Sequence, residues 1–407
     1  VPTDSGLLQA LSDRGVIVHA PQAVVIRDID PTRIEPGVEI YPGVTLQGQQ
    51  TLLGAGTILG RAGGGFFENV RTGRSVDLFG GYFSDCVFLD GVTIRGHAEV
   101  RGGTLLEEGC EAAHHVGYKM TVMMPWTVAG SLVNFCDALM CGGTDRKNHS
   151  EIGSTLALYN YTPWGDKFAS LFGNVSDGVF LDQPRIFVGG QTQVVSPVHV
   201  GFGSVLVAGS PVRRTVGPDR MYGEQAQAMD MPFDPVRFGA AWPKFDLTRM
   251  YLENLLQLDT WYETVRIPWA TRRGDDHLVE LYRAARQMLA AGWEERVKRL
   301  KSMVTRLPAS ALAWETLGRE NPHQSALAKR RIDDHHRVEQ AWPGLTDALQ
   351  DLQQAVAKDA VFGELSAQLM CTNCSFVDAV KTQLSDSLRE RVRAALCEIS
   401  VSPISVS

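Results

Sequence analysis

From Ile34 onward a large apolar residue returns at every sixth position: Ile34, Ile40, Leu46, Leu52, Ile58, then, past Gly64, Val70, Val76, Tyr82, Phe88, Ile94, Val100 and Leu106. Twelve of these thirteen positions are large and apolar. A helix repeats near 3.6 residues and a strand near 2, so neither accounts for a period of six. That period calls for one short strand and one tight turn per repeat, with three repeats closing a triangular coil of about eighteen residues. The aliphatic residue of each hexad then points into the prism, and small residues make the corners. A second run, Val188, Val194, Val200, Leu206 and Val212, resumes in a new phase. The expected fold is a left-handed parallel β-helix. Much of the chain's glycine, 40 residues in all, recurs between the apolar positions, as in Pro42-Gly43-Val44 and Leu53-Gly54-Ala55-Gly56.

Between Leu106 and Val188 the phase breaks, and loops at 142–153 and 164–184 are expected to leave the coils there. Insertions in solenoids tend to leave on one face, often the binding face. Further on the texture changes. Leu278, Leu281, Ala285, Leu289, Trp293, Val297, Leu300, Val304 and Leu307 step by three or four, which reads as one long amphipathic helix ended by Pro308. Asn321-Pro322 and Pro343-Gly344 punctuate further helices, and 374–399 reads as another. The expected organisation is a lead-in over 1–30, the β-helix over 31–230 and a helical domain of five or six helices over 231–407, capping or flanking the C-terminal coils.

Composition narrows the function classes. With 407 residues and a formal charge of −7, the chain does not look like a dedicated nucleic-acid binder. No apolar run approaches the ~20 residues that cross a bilayer, and the seven scattered cysteines make no disulfide framework. A cytoplasmic protein with neither a nucleic-acid nor a membrane partner is expected. Cys371-Thr-Asn-Cys374 is a single C-x-x-C, more often packing than a metal site.

The segment from Arg101 to Val216 resembles the β-helix acetyltransferase domain of the bifunctional N-acetylglucosamine-1-phosphate uridyltransferase/glucosamine-1-phosphate acetyltransferase family. The resemblance runs through Arg101-Gly-Gly-Thr-Leu-Leu-Glu-Glu-Gly109, Lys119, Ala129-Gly-Ser-Leu-Val-Asn-Phe-Cys-Asp-Ala138, Thr155-Leu-Ala-Leu-Tyr-Asn-Tyr-Thr-Pro-Trp-Gly-Asp-Lys167, Ile186-Phe-Val-Gly-Gly-Gln-Thr-Gln-Val-Val-Ser-Pro-Val198 and Val207-Ala-Gly209. No glycine-rich nucleotide loop stands before the repeats, so uridyl transfer is not expected. The resemblance implies that Arg101 and Lys119 grip the phosphate of a sugar phosphate or nucleotide sugar. It likewise implies that Asn160, Tyr161 and Lys167 contact that acceptor, that Gly190 and Ala208 flank the arm of acetyl-CoA or another acyl-CoA co-substrate, and that the protein is a homotrimer. A guanidinium can hold two phosphate oxygens while an ammonium adds a point charge.

One position departs from the pattern. Where the family carries its histidine base, this chain has Ser131, and the following Tyr position is Asn134. A serine hydroxyl cannot by itself take the proton from an amine. His149, in a stretch about six residues longer than the family's, and the pair His114 and His115 are the candidate replacements. Those same histidines could be read as metal ligands, but positions 154 and 155 are Ser and Thr where a third would be needed, so no metal is expected. Two readings stand: an acyl-CoA-dependent acyltransferase, or a non-catalytic sugar-phosphate-binding or scaffold protein whose helical domain docks a partner.

Overall fold

A computed structural model describes residues 5–226, 228–230, 232–369 and 374–401. The chain winds into a left-handed parallel β-helix of about 11 turns, followed by a helical region. One face of the prism is a continuous ladder of eleven two-residue strands, from Ile17–Val18 to Met221–Tyr222. The other two faces join into a second sheet where Gly117–Met123 and Asn134–Met140 run unbroken around a corner. Pairing begins at Ile17–Val18, opposite Glu39–Ile40, inside the stretch read as a lead-in. The helix Ser5–Asp13 precedes that strand.

Three interior columns fill the prism. One runs Ile40, Leu59, Leu78, Ile94, Ala112, Ala129, Ile152, Val188, Leu206. The second runs Leu46, Phe67, Phe83, Val100, Tyr118, Phe135, and the third Leu53, Thr72, Phe88, Leu106, Met123, Met140, Phe172. The strict count of six therefore slips over 52–82. Leu53, Leu59 and Phe83 are interior, whereas Leu52, Ile58 and Tyr82 point outward, and Gly64 is a positive-φ turn residue. Leu46 pairs Phe67, 21 residues on, and Phe67 pairs Phe83, only 16 on, so a longer coil is followed by a shorter one. Gly64 is obligatory in this turn, because a Cβ there would lie 2.4 Å from the Gly43 carbonyl oxygen.

The expected loops also resolve differently. The segment between Met140 and Glu151 leaves at one corner. The second stretch is not one loop: an antiparallel hairpin closes through the Tyr161–Lys167 bridge, Ser170–Phe172 returns to the sheet, and a separate excursion carries the short helix Val175–Gly178.

Among the described residues the helical region holds nine α-helices, starting with Trp242–Trp261, which periodicity did not single out. The long helix spans Asp276–Val304, and Pro308 opens the next one, Leu307–Glu320, rather than closing the first. The stretch 374–399 divides into Phe376–Gln383 and Asp386–Cys397.

These helices do not cap the last coils. They cover one side of the prism, from Thr72, whose carbonyl bonds His277 Nε2 at 2.8 Å, to Val175, whose N–H bonds Asn254 Oδ1 at 2.7 Å. The reason is a fourth apolar column. On the covered face the outward column Leu52, Arg71, Val87, Leu105, Val122, Leu139 and Leu171 is buried throughout and apolar at six of its seven positions, the Arg71 guanidinium being met by Gln50 and Gln287. At ~1.5–3 kcal/mol per buried side chain, this column supplies a large part of the docking energy. A chain ending before Trp242 would expose it and is expected to aggregate. Leu105→Asp in the full chain is expected to lower the unfolding free energy by about 3 kcal/mol or more, read by urea denaturation.

The seam also holds a buried ionic cluster. Arg266 pairs bidentately with Glu108 (2.6 and 3.0 Å) and lies 3.5 Å from Glu107, whose Oε1 accepts from the Tyr262 hydroxyl at 2.5 Å. Burial pushes the Glu107 carboxyl up to about 7, against the pull of the guanidinium. The native state thus keeps a proton that the unfolded chain loses near pH 4.5. Glu107 therefore contributes stability below that pH, and the contribution is lost as pH rises toward 7. Glu107→Gln should flatten the fall in stability between pH 5 and 7.5, by on the order of 3 kcal/mol relative to the parent, in urea titrations at both pH values.

Candidate functional site

One face of the prism, built on the strands 81–84, 98–100, 117–120, 134–136 and 157–159, keeps its outward residues free of the helices. Strand alternation places Val100 and Tyr118 inside and Arg101 and Lys119 outside. The Arg101 N–H donates to the Tyr118 carbonyl at 2.9 Å, so the two cations occupy neighbouring rungs of one column. Along it follow Ser84, Arg101, Lys119, Cys136 and Tyr159. Arg101 is half exposed and ion-paired to Glu99 through Nε at 3.3 Å. Burial pushes the Cys136 thiol up to about 11, so it is a packed thiol and not a thiolate, while its Sγ bonds Asn134 Oδ1 at 3.3 Å.

At the corner beyond Lys119, Met120 and Asp137 share a positive φ. Asp137 accepts from the Asn160 side-chain amide and from the buried Arg296 guanidinium. Arg296 also donates to the Lys167 carbonyl at 3.1 Å. The hairpin carrying Tyr161 and Lys167 is held from the other side as well: Arg306 bonds Asp166 and the Trp164 carbonyl, and Trp164 Nε1 donates to the Asp234 carbonyl at 3.1 Å. Lys244 lies 4.4 Å from the centre of the Phe238 ring and 5.7 Å from that of Trp164, and burial pulls its ammonium down to about 8. Asn160, Tyr161 and Lys167 thus belong to one rigid group fixed by the helical region. Arg296 was legible as an anomaly: it lies on the buried stripe of the long helix with Leu289, Gly292 and Leu300, where a charge needs a partner.

At the opposite end of the same strands is a second column. Leu132 N–H donates to the His114 carbonyl at 3.0 Å, Thr155 N–H to Ser131, Gln191 N–H to Ser154, and Gly209 N–H to Gly190. His114, Ser131, Ser154, Gly190 and Ala208 therefore stack as equivalent corner residues, bringing together four positions singled out in the sequence. A Cβ on Gly190 would meet the Ser154 carbonyl oxygen at 3.1 Å. Ser131 N–H donates to Ser154 Oγ at 3.2 Å. Asn134 is exposed on the neighbouring strand.

His149 is not in this column. The coil above Ser131 takes 23 residues instead of eighteen, since Ala129 pairs Ile152, and the rung over Ser131 is filled by Ser154. His149 stands at the other end of the strand Glu151–Ile152, with Nδ1 against the Arg146 carbonyl at 3.0 Å and Nε2 3.6 Å from Glu151. His114 and His115 are exposed, with their Nδ1 atoms 2.8 Å apart, and the His97 ring lies 5.0 Å from that of His115. Among the described residues no group of three His, Cys, Asp or Glu side chains has the geometry to hold a metal ion. Cys371, the first of the C-x-x-C pair, lies outside the described residues. Among them, too, no helix is long and apolar enough to cross a membrane.

No family model matches the chain. Among curated proteins it is 29% identical over 216 residues to the bifunctional protein GlmU of Lawsonia intracellularis, covering 53% of this chain and 42% of that one. It is 24% identical over 151 residues to bifunctional protein GlmU of Streptococcus uberis, covering 37% and 29%. Against the bifunctional protein GlmU of Legionella pneumophila it is 29% identical over 121 residues, covering 28% and 26%. The chain spans less than half the length of these relatives. This distant similarity, together with the coiled fold, fits a hexapeptide-repeat acetyltransferase-type domain.

Proposed function

We propose that the protein is an acyl-CoA-dependent acyltransferase acting on an amino group of a sugar phosphate or nucleotide sugar, and that it works as a homotrimer. The observation that carries this reading is the pairing of Arg101 and Lys119 on adjacent rungs of an uncovered face. Two cations ~5 Å apart along the stack repel each other, and an anion between them relieves that repulsion. The fixed group Asn160, Tyr161 and Lys167 adds polar contacts beside it.

Transfer requires the acceptor amine to lose a proton as it attacks the thioester carbonyl. The C–N bond forms, the C–S bond breaks and the thiolate of the acyl carrier leaves. Ser131 has no basicity for the proton step, whereas His114, one rung below it on the same corner, has. His149, at the far end of its strand, is the less suited of the original candidates. Within one chain His114 and Lys119 are five residues apart on one coil, at most about 16 Å along extended backbone. The amine and phosphate of an aminosugar 1-phosphate lie much closer together than that. A second copy supplying its own corner to the first copy's cation pair closes the gap, which is the physical argument for the trimer.

In calorimetry, Arg101→Ala and Lys119→Ala should each weaken binding of glucosamine 1-phosphate by roughly ten- to a hundredfold, the worth of one charge-assisted contact. Thiol release from acetyl-CoA with the same acceptor should survive Ser131→Ala, fall at least a hundredfold in His114→Ala, and rise in Ser131→His. Unchanged binding in Arg101→Ala would remove the phosphate site. Bound sugar phosphate with no thiol release from any acyl-CoA would favour the non-catalytic reading.

A further inference from the structure

On the uncovered face, the column next to Arg101 and Lys119 holds Phe66, Tyr82, Glu99, Gly117 and Asn134 in successive rungs. The first two form a ladder: the Phe66 and Tyr82 rings are 5.3 Å apart and within 7° of parallel. Tyr82 is 42% exposed, so its ring is open to solvent above Phe66. Above it the ladder stops. Glu99 leans sideways onto Arg101, and Gly117 contributes no side chain; a Cβ there would meet only Asn134 Oδ1, at 3.9 Å. The result is a niche about three rungs long, on the order of 14 Å, ended by the free face of Tyr82 and by Asn134 and walled by the two cations.

We infer that this niche binds a nucleotide, its base stacked on Tyr82 as the next step of the aromatic ladder and its phosphate on Arg101 and Lys119. The span suits it: Lys119 lies two rungs above Tyr82 and one column across, about 10–12 Å, the reach from a base to its phosphates. Glu99 fits a double role. It neutralises Arg101 when the niche is empty of anion, and once a phosphate takes the guanidinium it is free to accept a base N–H or a ribose hydroxyl. The inference rests on the phosphate-binding reading of Arg101 and Lys119 and makes it more specific: the ligand is a nucleotide, not a bare sugar phosphate. Two reactants bring that chemistry, a nucleotide-linked sugar and the nucleotide end of coenzyme A.

Calorimetry on the full-length protein tests it with UMP, AMP, UDP-N-acetylglucosamine, coenzyme A, glucosamine 1-phosphate and inorganic phosphate. A nucleotide should bind at least about tenfold more tightly than glucosamine 1-phosphate. Tyr82→Ala should reduce nucleotide affinity about five- to a hundredfold, the range of one base–aromatic stack, while leaving glucosamine 1-phosphate unchanged; Tyr82→Phe should keep both. The Tyr82 side chain is outward, so a folded variant is expected, and an unchanged circular dichroism melt checks it. If UDP-N-acetylglucosamine is the Tyr82-dependent ligand the niche is an acceptor site, and if coenzyme A is, it is a donor site; either supports a nucleotide niche. Glucosamine 1-phosphate binding as tightly as every nucleotide, or equal losses for both ligands in Tyr82→Ala, overturns the niche and leaves the phosphate site standing. No binding of any of the six overturns both.

Discussion

Every feature of this protein depends on the parallel backbone ladder between successive coils. Because each strand pairs in register with the strand one coil on, a residue's lateral neighbours are set by coil length and not by sequence proximity. Arg101 meets Lys119, and Ser131 meets His114 below and Ser154 above, for this reason alone. One inserted residue changes which side chains share a column. The coils found here, of 16 to 36 residues, therefore set which side chains share a column.

The ladder also explains the helical region. A β-helix with three solvated faces would alternate apolar and polar residues on every strand, but one face here is largely apolar on both sides and must be covered. The helices that cover it reach around the corner at Asp137. There Arg296, removed from water, satisfies the Asp137 carboxylate and the Lys167 carbonyl together. A buried ion pair of this kind is a weak source of net stability but costs several kcal/mol when one partner is lost. The hairpin bearing Tyr161 and Lys167 is thus tied to the helical region through Arg296 and Arg306. The helical region serves as scaffold for the uncovered face without entering it.

The chemistry divides between two ends of that face. Cations gather at the Lys119 end, and the small and histidine residues of the corner column gather at the Ser131 end. His114 stands one rung, ~5 Å along the stack, from Ser131.

The sequence alone determined the β-helix, because a six-residue apolar period admits no other regular structure. It also placed Arg101 beside Lys119, because the coils between Phe88 and Tyr118 keep the eighteen-residue step. Its count failed over 52–82, where a coil of 21 residues and one of 16 compensate so closely that a fixed period still lands on apolar residues, Leu52 and Tyr82 among them, that face outward. The apolar doublets of the covered face, such as Leu105-Leu106 and Val122-Met123, were visible but have no meaning without knowing which strand of three they occupy. Only the tertiary structure decided that the helices lie along the prism and not over its end, that Arg296 reaches Asp137 across 159 residues of chain, and that His149 stands apart from Ser131. The physical reason is the same in each case: loop lengths and side-chain burial set the register between distant segments, and no local pattern records them.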